Sequence, residues 1–229
     1  GGVPIKKSQI SQGGTGNHYQ QESLIDAGKN GIEFINISPL KSDLIDEVKG
    51  EWLAARPNTD TALMLGIAHT LHIEGLSNKN FLENYTEGFD IFLSYLLGTD
   101  DGVEKNSEWA ANICDIPASQ IKDLARRMTS NRTMISVSWS LTRQDHGEQP
   151  FWMAIMLASM IGQIGLPGGG FGFGYSATNH IGGKFKILPG AAFPQAKNEI
   201  ENFIPVARIS DLLLKAGERF DFDGSSYVY

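Results

Sequence analysis

The sequence contains one cysteine, Cys114, among its 229 residues. A single cysteine cannot form a disulfide within the chain, and it cannot by itself build a cysteine-rich metal site. We expect it to pack as a small apolar side chain near a helix end. A chain of this length can bury a sizeable core without any cross-link.

Long apolar runs and basic runs are also missing. The most apolar stretch, residues 153–164, is interrupted by Ser159, Gly162 and Gln163, and is shorter than the ~18 residues of a membrane span. The 19 basic and 26 acidic residues give a net charge of −7, which argues against a nucleic-acid partner. No signal peptide is visible at GGVPIKK. With 41% hydrophobic and 20% charged residues, the composition is that of a soluble globular protein.

The glycine-rich segments do not complete a known nucleotide motif. GGTGNHYQ, which begins at Gly13, lacks the third glycine of GxGxxG and the lysine and serine of a P-loop. Residues 168–175 follow a predicted helix rather than a strand and also lack that lysine, so a phosphate-cleaving P-loop enzyme is disfavoured. We interpret 168–175 as a rigid connection, with Tyr175 as a candidate lining residue. His69 and His72 match no metal motif and are interpreted as core-edge and surface residues.

Residues 134–175 predict a strand, a polar loop and an apolar helix, in that order. The strand covers Met134–Val137 and the helix covers 150–164, with Pro150 in its first turn. Open α/β sheets present ligand-binding groups in such loops, at the carboxyl ends of their strands. Further strands are predicted at 32–37, which ends at Ser38-Pro39, and at 51–55, with Trp52 packed inside. Further helices are predicted at 19–29, 61–74, 80–85, 89–97, 107–113, 118–129 and 205–216.

These elements predict an α/β fold with a doubly wound, mostly parallel sheet flanked by helices, a Rossmann-like dinucleotide-binding variant. Residues 1–145 would form the cofactor-binding α/β domain. Residues 146–229 would begin an adjoining α/β domain that contains the glycine-rich loop and ends near a strand entry.

Four segments resemble the dimethyl sulfoxide reductase family of molybdopterin oxidoreductases, in its trimethylamine N-oxide and biotin sulfoxide reductase branch. They are PNTDTALMLGIAHTL, FLENYTEGFDIFLSYLLGTDDGVEKNSEWAANICDIPASQIKDLA, WSLTRQDHGEQPFWM and LASMIGQIGLPGGGFGFGY. The resemblance is collinear from about Val3 to Tyr175. Members are several times longer, so it implies that the chain is an internal piece.

The resemblance implies a molybdenum-bis(molybdopterin guanine dinucleotide) cofactor and the residues that contact it. These are Lys7, Ser8, Ser38, Pro39, Asn58, Thr59, Asp60, Trp139, Ser140 and Arg143. Asp60 would accept two parallel hydrogen bonds from guanine, and Arg143 would contact a phosphate or a polar edge. The family usually has aspartate where this chain has Ser38, so the charge-assisted bond is missing there.

Ordinary structural roles compete with these assignments. Lys7 could be a solvated surface residue, Asn58 or Thr59 could cap the helix at 61–74, and Arg143 could clamp Asp145 or Glu148. We expect no catalytic residue in this chain, because the resemblance places the metal-ligand serine before Gly1. The chain alone should therefore be inactive.

The resemblance implies a periplasmic S-oxide or N-oxide reductase. Its substrate would be trimethylamine N-oxide, dimethyl sulfoxide or biotin sulfoxide, and a c-type cytochrome would be its redox partner. The alternative is a non-catalytic Rossmann-type nucleotide-binding module. Asp60 discriminates between them, because it predicts a guanine-containing ligand, whereas a generic dinucleotide site would have an acidic residue at position 38.

Overall fold

The structure is a computed structural model that describes residues 14–15, 20–173, 186–187, 191, 193–194, 196–197, 199, 203–222 and 225–228. The chain divides into two compact units, residues 1–189 and 190–229. The predicted division between residues 145 and 146 stays a prediction.

The described part of the first unit contains seven α-helices. They are α1 (Gln20–Lys29), α2 (Asp60–Ile73), α3 (Lys79–Tyr85), α4 (Phe89–Leu96), α5 (Ser107–Cys114), α6 (Ala118–Ser130) and α7 (Gln149–Met160). Helix α2 lies at the centre and packs against α5, α6 and α7. Gly66 permits this packing, because a Cβ there would lie 2.6 Å from the Ala110 Cβ of α5. Cys114 is buried at the end of α5, as predicted.

Where the first unit is described, its strands form three separate pairs. They are β1 (Gly14–Thr15), β2 (Ile35–Ile37), β3 (Glu51–Leu53), β4 (Met134–Val137), β5 (Gly170–Phe173) and β6 (Lys186–Ile187). Two pairs, β2–β3 and β4–β5, are parallel, and β1–β6 is antiparallel. The connection from β4 to β5 contains α7, whereas β2 and β3 are joined through two 3₁₀ turns, Lys41–Asp43 and Asp46–Val48. The mixed α/β class is confirmed, and the single doubly wound, Rossmann-like sheet stays a prediction.

Both parallel pairs pack on one hydrophobic core built around α2. The core contains residues of β3, α5, α6 and α7, and Ile35, Ile37, Ile135 and Val137 of the strands pack against it. A shared core fixes the position of each strand end, and therefore of the loop that follows it.

Three local predictions were wrong. The segment at 168–175 is not only a loop, because β5 pairs in register with β4 from Gly170 onward. Gly170 has φ +84° and lies close to Ile164, so only glycine fits there. Because the segment is rich in glycine, its sequence predicted a loop rather than a strand. Helix α7 ends at Met160, since Gly162 takes φ +67°. Trp52 is 38% exposed, because Leu53 takes the inward position of β3.

The second unit contains α8 (Ile209–Leu214) and an antiparallel hairpin of β7 (Arg219–Phe222) and β8 (Ser225–Val228). A 3₁₀ turn at Val206–Arg208 leads into α8, so the helix predicted at 205–216 is shorter than expected. Across the described ranges, no helix has both the length and the apolar character required to cross a bilayer.

Candidate cofactor-binding site

The loops after β2 and β3 lie at the same edge of their sheet. In this parallel pair Ile37 lies opposite Leu53, so the two strands end together. Ser38 and Pro39 therefore follow one strand at the edge where residues 56–60 follow the other. This is the edge at which α/β proteins place ligand-binding groups.

The hydrogen bonds of Ser38 close the loop after β2. Its backbone N–H donates to Leu53 O (3.2 Å), and its carbonyl accepts from Trp52 Nε1 (2.8 Å). Its hydroxyl donates to Asp43 Oδ2 (2.5 Å) and accepts from Leu40 N (3.2 Å). Because the only hydroxyl proton is used, Ser38 could serve a ligand only as an acceptor. Asp43 was not predicted as a site residue, since the sequence did not distinguish it from the other acidic residues that follow β2.

The loop after β3 does not use ordinary helix capping. Thr59 occupies the position before α2, yet its Oγ1 donates to Arg56 O (2.6 Å) and makes no cap bond. Asn58 has φ +63°, a left-handed conformation that asparagine tolerates better than most residues. The Arg56 guanidinium makes two bonds to Asp115, of 2.9 and 2.8 Å, which tie this loop to the end of α5. The alternative in which Asn58 or Thr59 caps the helix was therefore wrong.

Asp60 is the first residue of α2, where the N-terminal end of the helix dipole favours a negative charge. Its carboxylate has neither a hydrogen bond nor an ion pair within the described part of the chain. Arg56, the nearest arginine in sequence, is engaged by Asp115. Both carboxylate oxygens of Asp60 thus remain available to an external pair of N–H donors, as the guanine assignment requires.

The loop after β4 carries the second group of predicted residues. Trp139 and Ser140 lie in a 3₁₀ turn, Trp139–Thr142, whose Thr142 hydroxyl donates to Trp139 O (2.8 Å). The Ser140 hydroxyl lies 2.5 Å from that of Ser138. Gly147 closes the loop tightly, because a Cβ there would lie 2.6 Å from Thr142 O.

Arg143 follows this turn and is exposed. Its guanidinium pairs with no acidic side chain in the described ranges. Asp145 and Glu148 instead lie 3.9 Å from the two ring nitrogens of His146. The alternative in which Arg143 clamps one of these acids was therefore wrong, and its planar fork of donors is free to meet a phosphate or another anion. The neighbouring Gln144 Oε1 is buried without a hydrogen-bond partner among the described residues.

The two histidines of α2 lie apart from these loops. His69 is buried, and its Nε2 lies 2.7 Å from Glu104 Oε1, a contact that holds the pKa of Glu104 below its usual value. His72 is partly buried, and this burial, followed by the charges of His69 and Lys79, lowers its pKa. Within the described ranges, no three His, Cys, Asp or Glu residues come together as a metal site would require.

A cavity lies elsewhere among the described residues, between α3, α7 and the turn after α7. It has a volume of about 840 Å³ and is lined mainly by apolar side chains, including Phe81, Tyr85, Trp152 and Leu166. None of the predicted cofactor-binding residues lines it. A diphosphate requires cations or clustered N–H donors, so the chemistry of the strand-end loops fits a dinucleotide better than this cavity does.

Among the described residues, the loop after β3 carries an unpaired carboxylate at Asp60, and the loop after β4 carries an unpaired guanidinium at Arg143 and an unsatisfied amide oxygen at Gln144. Such a set fits a ligand that has N–H donors at one end and a negative charge elsewhere, which describes a guanine dinucleotide. Lys7 and Ser8 lie outside the described residues, and their assignment stays a prediction. The fold defines a mixed α/β protein, and the loops at its strand ends are the candidate site for a polar ligand.

Comparison with known proteins gives the family. The structure is similar to acetylene hydratase from Pelobacter acetylenicus, with a TM-score of 0.54 and 23% identity over 64% of this chain and 19% of that one, so the two share a fold. The model of the molybdopterin oxidoreductase family matches residues 14–217. The chain therefore belongs to the molybdopterin oxidoreductase family.

Its curated relatives include reductases of S-oxides and N-oxides. The chain is 44% identical to a biotin sulfoxide reductase of Cereibacter sphaeroides, over all of this chain and 31% of the relative. It is 46% identical to a dimethyl sulfoxide/trimethylamine N-oxide reductase of the same organism, over 88% of this chain and 26% of the relative. A trimethylamine-N-oxide reductase of Haemophilus influenzae is 43% identical, over 87% of this chain and 26% of the relative. The chain thus spans between a quarter and a third of these relatives' length. The predicted family resemblance is confirmed.

Proposed function

We propose that these residues are the cofactor-binding part of a molybdenum reductase that carries a bis(molybdopterin guanine dinucleotide) cofactor and acts on S-oxides or N-oxides. The observation that carries the proposal is that Asp60 and Arg143, each in a loop that follows a parallel strand, carry charges with no partner among the described residues. The names of the relatives support the substrate class.

Each group has a distinct part in holding the cofactor. Asp60 would accept the two parallel N–H groups of guanine, and Arg143 would contact a phosphate or a polar edge of the cofactor. Trp139 and Ser140 would lie against it beside Arg143, and the turn that contains them fixes their position. Asn58, Thr59, Ser38 and Pro39 would shape the pocket around the guanosine end.

When bound, the cofactor supplies the two-electron chemistry that reduces the oxide, and the residues of this chain bind and orient it. The serine that ligates the metal is proposed to lie outside these residues. By the same family resemblance, we propose a periplasmic location and a c-type cytochrome as electron donor.

The test is to purify the full-length protein and to measure molybdenum, GMP released by acid hydrolysis, and reduction of trimethylamine N-oxide, dimethyl sulfoxide and biotin sulfoxide with a reduced viologen. We expect two GMP for each molybdenum, because the cofactor has two dinucleotide arms, and turnover of at least one oxide.

A protein that binds a nucleotide but neither molybdenum nor any of the three oxides would instead support the non-catalytic nucleotide-binding module. Residues 1–229 expressed alone serve as a control, in which we expect no turnover. Turnover by this segment alone would show that the catalytic residues lie within it.

A further inference from the structure

Asp43 is a buried acidic residue at the ligand-binding edge of the β2–β3 pair. It belongs to the 3₁₀ turn Lys41–Asp43 and is only 8% exposed. Asn36, in β2, holds this turn in place by donating from Nδ2 to Leu40 O (3.3 Å) and Lys41 O (3.2 Å). The turn thereby brings the Asp43 carboxylate to the end of the strand, against the Ser38 hydroxyl.

The carboxylate of Asp43 is poorly satisfied for a buried group. Within the described residues its only side-chain partner is the Ser38 hydroxyl, which donates to Oδ2. Neither a donor to Oδ1 nor a cation near the carboxylate is found in these ranges. A buried ionised carboxylate normally has a paired charge or several donors, because leaving it without them costs free energy.

Other acids of this unit show the usual arrangement. Asp115 receives two bonds from Arg56, and Glu74 receives two from Arg126. These acids are exposed and nevertheless paired, whereas Asp43 is buried and has a single neutral donor. A ligand bound at this edge of the strand pair could supply the missing donor.

We infer that Asp43 accepts a hydrogen bond from a ribose hydroxyl of the guanosine portion of the cofactor, an inference that rests on the proposed function. In doubly wound folds, an acidic residue near the end of a strand accepts such a bond from the ribose. Here the strand-end position itself is Ser38. Its hydroxyl donates to Asp43, which orients the carboxylate and leaves Oδ1 for the sugar. Asp60 then binds the guanine base, and Asp43 binds the ribose.

The test compares nucleotides that differ only in their hydroxyls. Full-length protein prepared without cofactor is titrated calorimetrically with GMP, 2′-deoxy-GMP, 3′-deoxy-GMP and 2′,3′-dideoxy-GMP. A hydrogen bond from a hydroxyl to a buried carboxylate predicts that removing the correct hydroxyl weakens binding about tenfold or more. The 2′-deoxy and 3′-deoxy analogues identify which hydroxyl is bound.

Asp43→Asn is the diagnostic variant. Its amide oxygen can still accept from Ser38, but its amino group faces the sugar with a donor, so the preference for GMP over the dideoxy analogue should fall to about twofold or less. Asp46→Asn is the matched control, because Asp46 is an exposed acid in the next 3₁₀ turn and loses the same charge. Asp46→Asn should keep the wild-type preference.

A role in closing the loop predicts different results. If Asp43 served only to hold Ser38, then Ser38→Ala would lower the melting temperature and Asp43→Asn would leave the ribose preference intact, which would overturn the inference. Equal affinity of the wild-type protein for GMP and the dideoxy analogue would overturn it without any variant.

Failure of the proposed function has a separate signature. It would appear as wild-type binding of AMP as tight as that of GMP, together with no effect of Asp60→Ala on GMP binding. The ribose preference is measured within one base, and therefore reports on Asp43 independently of that result.

Discussion

Replacing Asp60 with alanine in the full-length protein should release the cofactor without unfolding the protein. The Asp60 carboxylate has no partner in the described part of the chain, so its interactions are left for the ligand. Two charge-assisted hydrogen bonds to guanine contribute roughly 1.5–3 kcal/mol each. The loss of even one such bond weakens cofactor retention about tenfold. The cost to the helix is smaller, since a carboxylate in the first turn contributes about 0.3–1 kcal/mol through the dipole.

Asp60→Asn should be nearly as harmful as Asp60→Ala, because its amide presents a donor where guanine also presents one. The assay is GMP released by acid hydrolysis per mole of protein, measured together with the melting temperature. Asp90→Asn is the matched control, because Asp90 is an exposed acid in the first turn of α4 and outside the candidate site. It should cost a comparable amount of stability and leave the GMP content unchanged.

If Asp60 only stabilises α2, all three variants would melt a few degrees lower and retain the wild-type amount of GMP. That result would refute the assignment of guanine recognition to Asp60. Guanine would then have to be bound by other donors and acceptors of the strand-end loops.

Three further outcomes are expected. Arg143→Lys should lower the GMP content several-fold with little change in melting temperature, because an ammonium cannot reproduce the planar fork; unchanged GMP would contradict the phosphate assignment. Gly66→Ala should lower the free energy of unfolding by about 1–3 kcal/mol, measured by denaturant unfolding, because the added methyl group overpacks against Ala110. Adding Ala110→Gly to that variant should restore stability. A Gly66→Ala variant as stable as the wild type would refute the close helix contact. Hydrogen bonds from Lys122 and Ser107 lower the pKa of Glu108 from 4.5 to about 2. A lowered pKa stabilises the folded state above pH 4.5, and this contribution is lost as the pH falls towards 2. The melting temperature of Glu108→Gln should therefore fall less than that of the wild type over this range, and parallel curves would contradict the pairing.

The sequence predicted the helices best. The periodic, apolar segments that became α2, α5, α6 and α7 begin within one or two residues of their predicted starts, because their apolar residues and their Pro or Asn starts are local signals. The strand β5 was missed, because its first residue, Gly170, is required by close packing and by a positive φ angle that local propensity does not report. Long-range contacts, such as that between His69 and Glu104, also have no local signal.

The candidate site was predictable only through the family resemblance. The residues themselves left helix capping as an alternative for Asn58 and Thr59, and loop clamping as an alternative for Arg143. The structure removed these alternatives, since Thr59 bonds to Arg56 O and the acids near Arg143 lie against His146. Asp43 was missed, because its burial depends on a turn held by Asn36.

Several residues that break local rules lie in the loops that follow β2, β3 and β4. Asn58 takes a left-handed conformation, Asp43 is a buried acid with one neutral donor, and Gln144 carries an unsatisfied buried oxygen. In the core around α2, by contrast, helix packing and apolar burial agree with the local pattern. Departures of this kind cost stability, and a ligand that supplied the missing partners would offset that cost at the strand ends. Binding of the cofactor should therefore stabilise these loops, because a bound ligand stabilises the folded state that binds it.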